Sequence, residues 1–413
     1  MFKKLLIIGF LIIIFPFISY GIQLSANDNV TCLINNGKIY CDGALLKEYR
    51  DLKTQFKDVR NAQLISVGGT RICYSVDNNI YCYGSNASKI YFQPTSIIEA
   101  KGLKQIVSGS SHTCILDSDE NNAVKCWGLN NSGQLGNGTT TNSISPVIPN
   151  NLYNPKECES VIQISTHSNH TCAIILKNTP CALIPYTYLK CWGSNNYGQL
   201  GNGKTINDYS DLNPPSPSNI FERIFRKIFP HKQKPPQENQ PVIANNILNL
   251  NQVITGLNHT CYRYCILEYC YVKCFGLNKN GQLGNGINLL EAQQSKKVPF
   301  SVKPVLVQNL ETNVSFIASG DNHNCAIVNN GEVKCWGNNN YGQLGDGTRI
   351  DSSIPVLVKG ISNAVSLSLG AYHSCALLKT GEIKCWGNNV NGQLLNGNHE
   401  NQLLPVTINY QNQ

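Results

Sequence analysis

Five of the eight histidines, His112, His170, His259, His323 and His373, stand two residues before a cysteine. A histidine beside a cysteine is the minimal equipment for a thiolate nucleophile or a zinc site, and the chain has eighteen cysteines. The spacing argues against both chemistries. The H-x-C element returns once per repeated unit, so the imidazoles are spread along the chain rather than gathered. Each is read as a hydrogen-bonded residue steadying its own unit. Trp127, Trp192, Trp336 and Trp386 recur in the same way and are read as core between units. The run Asp117-Ser118-Asp119-Glu120-Asn121-Asn122 imitates the start of a calcium loop but lacks the later glycine and glutamate, which makes it a solvated hairpin tip. The G-Q-L-G-N-G runs follow no phosphate-binding strand–helix pattern. With no paired carboxylates or triad outside the repeat, the expectation is a non-enzyme without catalytic, cofactor or metal residues.

The elements that hold these residues follow from the cysteines. Seven times a pair of cysteines brackets a turn, and in five of those pairs the second cysteine runs into an aromatic residue, a glycine and then G-Q-L. Between Cys32 and Cys41 the centre falls on Asn36-Gly37, the dipeptide of a two-residue type I′ hairpin, which sets the two cysteines opposite each other. Cys325–Cys335 and Cys375–Cys385 fit three-residue loops ending in Gly331 and Gly381. Opposed β-carbons are close enough to bridge. The same pairing extends to Cys73–Cys82, Cys114–Cys126, Cys172–Cys191 and Cys261–Cys274. Cys265 and Cys270 lie inside the fifth hairpin and can bridge each other, which leaves Cys158 and Cys181 by elimination.

A strand such as 105–109 or 316–320 leads into each hairpin, and after the G-Q-L loop comes a proline-led strand at Pro146, Pro304, Pro355 or Pro405. Four short strands per unit, repeated in a ring, describe an all-β propeller. Counting units gives seven blades. The chain enters at Ile22 without a proline-led strand and ends on one, so Pro405–Ile408 is expected to pair into the N-terminal blade and close the ring. The pattern G-x-x-H-x-C-A-L…G-x-V-x-C-W-G-x-N-x-x-G-Q-L-G-x-G resembles the repeat of the regulator of chromosome condensation family. Blades 3 to 7 carry the likeness. Blades 1 and 2 keep Cys41-Asp42-Gly43 and Cys82-Tyr83-Gly84 but lose G-Q-L, and Leu395 replaces a loop glycine in blade 7.

Residues 1–21 read as a secretory signal: Lys3 and Lys4, an apolar run from Leu5 to Phe15, and an exit at Gly21. An uncleaved membrane anchor is the alternative. Export agrees with an even cysteine count at regular spacing. The propeller then spans 22–413, interrupted by a Pro-rich, charged insertion over 204–240. Inside the insertion, Phe221, Phe225 and Phe229 form an apolar stripe at helical spacing opposite Arg223, Arg226 and Lys227, a candidate contact for a membrane or partner. The formal charge of +8 loses Lys3 and Lys4 with the signal, and five of the remaining cations lie between residues 220 and 235. The ring itself is nearly neutral, which disfavours nucleic acid. The expected function is therefore a secreted or cell-surface propeller that binds an unidentified protein through loops on one face, without cofactor. The resemblance offers two precedents. A secreted member of the family inhibits β-lactamase by face binding, and the nuclear member is a guanine-nucleotide exchange factor for a small GTPase, the alternative function, which would require a reducing cytosol.

Overall fold

The computed structural model describes residues 22–44, 52–86, 89–118, 123–205, 237–287, 299–310, 313–329 and 331–409. The signal-like segment 1–21, the stripe at Phe221, Arg223, Phe225, Arg226, Lys227 and Phe229, and residues 119–122 of the calcium-like run lie outside them.

Alternating residues around each cysteine pair fold into antiparallel meanders. Blade 1 comprises β1 (Ile22–Asn27), β2 (Val30–Asn35) and β3 (Lys38–Gly43). After a short helix α1 (Leu52–Gln55), blade 2 comprises β4 (Ala62–Val67), β5 (Arg71–Val76), β6 (Asn79–Asn86) and β7 (Lys89–Glu99). Blade 3 is β8 (Leu103–Ser108), β9 (His112–Asp117), β10 (Ala123–Gly128) and β11 (Ser143–Val147). Blade 4 is β12 (Glu159–His167), β13 (His170–Lys177), β14 (Tyr186–Ser194) and β15 (Gln237–Leu248). Blade 5 is β16 (Leu250–Thr255), β17 (His259–Ile266), β18 (Tyr269–Leu277) and β19 (Phe300–Leu306). Blade 6 is β20 (Val314–Ser319), β21 (His323–Val328), β22 (Glu332–Gly337) and β23 (Ser352–Leu357), and blade 7 is β24 (Ala364–Leu369), β25 (His373–Leu378), β26 (Ile383–Gly387) and β27 (Gln402–Thr407).

The first strands of successive blades pack in sequence around the axis, and β24 returns to β1, so the seven blades form a closed ring. Closure differs from the sequence expectation. Strand β27 pairs with β26, and blade 1 has three strands among the described residues. Among the described residues every fourth strand pairs within the blade formed by the three strands before it, and blade 7 closes on blade 1 by side-chain packing and inter-blade hydrogen bonds rather than by a shared strand. The prolines also sit differently. Between the cysteine and glycine of the third strand, two residues apart, the fourth strand spends four residues, as in Cys335↔Val356 and Gly337↔Ser352. Pro355 lies inside that bulge, as do Pro146, Pro304 and Pro405 in theirs, where no ladder amide is required.

Each seam between blades has its own apolar cluster. Trp127, Trp192, Trp336 and Trp386 fill four of them and Phe275 a fifth, all fully buried. At the seam of blades 1 and 2 no tryptophan is available, and Leu52 and Phe56 plug it from the connecting segment, Phe56 meeting Tyr74 and Tyr83 edge-on at 5.8 Å. At the seam of blades 7 and 1, Leu395 does the same work. In the other G-Q-L blades the loop glycine rests against the next blade's aromatic ring, as Gly345 does on Trp386, where a Cβ would meet the indole at 2.8 Å. Blade 1 has Asp42 in place of tryptophan, and the buried Leu395 takes up the space in a left-handed conformation of φ 54°.

Nine disulfides join the cysteines pairwise as Cys32–Cys41, Cys73–Cys82, Cys114–Cys126, Cys158–Cys181, Cys172–Cys191, Cys261–Cys274, Cys265–Cys270, Cys325–Cys335 and Cys375–Cys385. All except Cys158–Cys181 cross directly opposed strand positions. Among the described residues no helix is long and apolar enough to cross a membrane.

Candidate functional site

The five repeated histidines are wholly buried, and each reaches out of its own blade. Nε2 of His112 lies 2.8 Å from Thr171 Oγ1, that of His170 3.0 Å from Thr260, and that of His259 2.9 Å from Asn324 Oδ1. His323 meets Ser374 at 2.9 Å and His373 meets Thr31 at 2.7 Å, always in the following blade. In blades 4 to 7 the acceptor group also donates, to the G-Q-L carbonyl of the blade before: Thr171 to Gln134, Thr260 to Gln199, Asn324 to Gln282 and Ser374 to Gln343. A hydroxyl that gives its proton to a carbonyl must accept from the imidazole, which assigns the Nε2–H tautomer in blades 3, 4 and 6. Burial pushes His112, His170, His323 and His373 down to about 3 and His259 to about 4, so all are neutral. The expected steadying role is thus exercised between blades. Arg71 takes the histidine's place in blade 2 and donates to the Ser111 carbonyl of blade 3, while blade 1 offers Val30, matched in blade 2 by Ile72.

With these groups committed to the seams, chemistry is left to the mouth of the ring, where the turns between first and second strands converge. Backbone hydrogen bonds link these turns from blade to blade: Gly69 N to Gly109 O, Ser110 N to Ser168 O, Leu257 N to Asp321 O and Ala371 N to Asp28 O. The first turn position is glycine in five blades, and in the four of these that have the repeated histidine it admits that blade's own imidazole; a Cβ at Gly370 would stand 2.0 Å from His373. Two blades depart from glycine, and both use the side chain to reach over a neighbour. Asn27 of blade 1 donates across blade 2 to the Ser108 carbonyl. His167 of blade 4 passes blade 5 and meets Asp321 of blade 6, Nε2 to Oδ1 at 2.6 Å. Asp28 lies over Gly69, whose Cβ would collide with Oδ2 at 2.1 Å. Burial and the nearby Asp321 raise the Asp28 carboxyl, against an opposing effect of His167. Tyr372, beside Ala371, packs against Tyr341 of a G-Q-L loop with ring centroids 5.1 Å apart, and burial, Asp321, Tyr341 and Asp28 raise its phenol.

This mouth was invisible to a search for motifs. Its signal was the failure of the motif: His167 and Asn27 are the two residues that break the glycine of G-x-x-H. Among the described residues no group of three or more histidine, cysteine, aspartate or glutamate side chains could hold a metal. Asp117 of the calcium-like run instead accepts from Gly102 N at 3.1 Å. The opposite face carries the hairpin tips, including the exposed Leu183, Ile184 and Leu267.

Comparison with known proteins agrees with this architecture. The regulator of chromosome condensation (RCC1) repeat profile matches residues 123–174, 272–327 and 330–377, and a second profile of the same repeat matches 103–134, 314–343 and 364–393. The chain is 25% identical to the ultraviolet-B receptor UVR8 of Arabidopsis thaliana over 359 residues, 83% of this chain and 68% of that one. It is 26% identical to the human X-linked retinitis pigmentosa GTPase regulator over 309 residues, 66% of this chain and 27% of that protein. Among solved structures, Prp20p of Saccharomyces cerevisiae, described with its binding to Gsp1p and histones, superposes with TM-score 0.64 at 16% identity, covering 94% of this chain and 88% of that one. Human WBSCR16 superposes with TM-score 0.64 at 20% identity, covering 87% and 88%. At these identities the structural likeness speaks for the fold alone.

Proposed function

We propose, for a chain that carries regulator of chromosome condensation repeats on a seven-bladed propeller, that it is a secreted or cell-surface protein that binds a protein partner through the face at the mouth of the ring. The observation that carries this reading is the contrast between the seams and the mouth. Histidines, hydroxyls and tryptophans are consumed in holding blades together, whereas the turns that carry Asp28, Asp321 and Tyr372, joined to neighbouring blades by backbone hydrogen bonds, and Tyr341 packed on Tyr372 lie on one face. Two relatives are named as a receptor and a GTPase regulator, and Prp20p is described with its binding to Gsp1p and histones.

Nine disulfides support an oxidising location, since a cytosolic pool of thiols would reduce them. The same bridges weigh against exchange on a cytosolic GTPase. A further contact at Phe221–Phe229 with a membrane or partner stays part of the proposal, to be read by liposome flotation of wild type against Phe225→Asp. The face reading is tested by immobilising the oxidised protein in its native surroundings. One partner at near-unit stoichiometry, lost on charge reversal at Asp28 with no loss of folding, is expected. Repeated recovery of no partner would overturn it.

A further inference from the structure

Blade 5 departs from the repeat twice, and the two departures touch. Two residues after the first cysteine of each hairpin the chain has Ile34, Leu116, Ile174, Ile327 or Leu377, with Ser75 in blade 2, but blade 5 places Arg263 there. Two residues further along the same strand face, Cys265 and Cys270 form a second bridge in a hairpin already closed by Cys261–Cys274. Arg263 is 8% exposed, and its Nη1 lies 3.9 Å from Cys265 Sγ, 3.8 Å from Cys270 Sγ and 3.1 Å from the Val314 carbonyl of blade 6. Its Nε has no hydrogen-bond partner, and among the described residues no carboxylate forms an ion pair with it. Burial draws its pKa down, and no acidic neighbour opposes that. A buried guanidinium without a counterion is a costly group to keep. The bridge beside it is also unlike the others. The seven bridges at the blade centres are exposed by 3% or less, whereas Cys265 and Cys270 are partly open to solvent. Cys270 is the inner of the two, packed on the cluster at the seam of blades 5 and 6.

We propose that Cys265–Cys270 is a thiol–disulfide exchange site for an external thiol, with Arg263 as the group that receives the departing thiolate. The attacking thiolate bonds to Sγ of Cys265, the outer sulfur, and the bond to Cys270 breaks with its electron pair on Cys270. The released Cys270 thiolate gives the guanidinium the anion it lacks. A second external thiolate then attacks the sulfur of the first, which frees Cys265 and leaves an external disulfide. Two external thiols are thereby oxidised by two electrons in total and the bridge is reduced by two, while the two thiol protons pass to solvent or to the opened cysteines. The closed bridge offers Arg263 only neutral sulfur, so the cation favours the opened state. Opening leaves the ring intact, because Cys261–Cys274 still closes the hairpin nearer its base.

The test places the full oxidised chain in glutathione buffers of stepped ratio, then alkylates it and maps all nine bridges by mass spectrometry. Cys265–Cys270 is expected to open first, with glutathione on Cys265 and the alkyl group on Cys270 in the mixed intermediate, while the seven buried bridges stay closed. Cys158–Cys181 is the internal comparator: Cys181 is also exposed, but its sulfur meets the Lys156 carbonyl and no cation. It should open only at a more reducing ratio. Arg263→Met should shift the equilibrium of Cys265–Cys270 about tenfold toward the closed bridge, about 30 mV for a two-electron couple, and Arg263→Lys should restore most of that. An arginine that merely holds the tip predicts the opposite sign, because a loosened tip opens more readily. If Arg263→Met does not fold, Arg263→Lys and the order of the two exposed bridges in the wild type carry the reading. A parallel arm replaces glutathione by reduced thioredoxin; opening by glutathione assigns a small thiol, and opening by thioredoxin alone assigns a protein dithiol. Opening by neither, opening of Cys158–Cys181 at the same ratio or earlier, or easier opening in a folded Arg263→Met variant overturns the proposal.

Discussion

Thr260→Val removes one hydroxyl and leaves the shape of the side chain almost unchanged, yet the hydroxyl serves two buried groups. Thr260 Oγ1 donates to the Gln199 carbonyl at 2.8 Å and lies 3.0 Å from His170 Nε2. In the variant both lose that partner at a fully buried seam. A buried polar group left unsatisfied costs about 1–3 kcal/mol, so the pair is expected to lower stability by roughly 2–6 kcal/mol. The repeat supplies its own control. At Thr171→Val the Gln134 carbonyl keeps a donor, Trp192 Nε1 at 2.9 Å, whereas blade 5 has Phe275 where Trp192 would be. The Thr171 variant should therefore lose about 1 kcal/mol less. Adding Phe275→Trp to Thr260→Val should recover about that amount, because Gln199 regains an indole donor of the kind Gln134, Gln282 and Gln343 already have. Urea unfolding under non-reducing conditions gives all four values. Equal losses for the two threonines, or no recovery with the tryptophan, would refute the inter-blade bridge as the seat of the stability.

Acid should weaken the ring in a defined window. The five histidines have folded values near 3 or 4, below the ordinary value of 6.5, so the unfolded chain takes up protons first. Their stabilisation is complete above about pH 6.5 and is lost as pH falls toward about 3, or about 4 for His259, at about 1.4 kcal/mol per pH unit for each histidine, read from unfolding midpoints at stepped pH. Phe56→Ala should cost about 3–5 kcal/mol by emptying the plug between blades 1 and 2, while the exposed Leu267→Ala should stay within about 0.5 kcal/mol in the same assay. Leu395→Gly relieves a left-handed leucine but opens the seam of blades 7 and 1, and a net loss of at least about 1 kcal/mol in thermal unfolding is expected. Replacing Cys73 and Cys82 together by serine should cost about 2–3 kcal/mol, since the closed loop is short.

The repeat made the ring legible, because each blade brings its own hairpin signal, and Asn36-Gly37 placed Cys32 opposite Cys41 without any long-range information. The closure and the prolines were not legible in the same way. A proline-led strand reads identically whether it joins the blade before or after it, and only the pairing of Val406 with Cys385 decides. The histidines were assigned a local role because the sequence shows each beside its own cysteine, whereas their partners Thr31 and Thr260 lie 342 and 90 residues away. The mouth was least visible, since Asp321 occupies an ordinary turn position and meets His167, 154 residues away, only when the ring closes. His167 carried a trace of it by standing where the repeat has glycine.

Photo-crosslinking in the protein's native surroundings tests the central claim most directly. A photoreactive residue is placed at Tyr341 or Tyr372 on the mouth face, or at Leu183 or Leu267 on the opposite face. The account predicts one partner attached in stoichiometric yield from both mouth positions, and none from the hairpin tips. Attachment from the tips in preference to the mouth, or scattered attachment from all four positions, would contradict it.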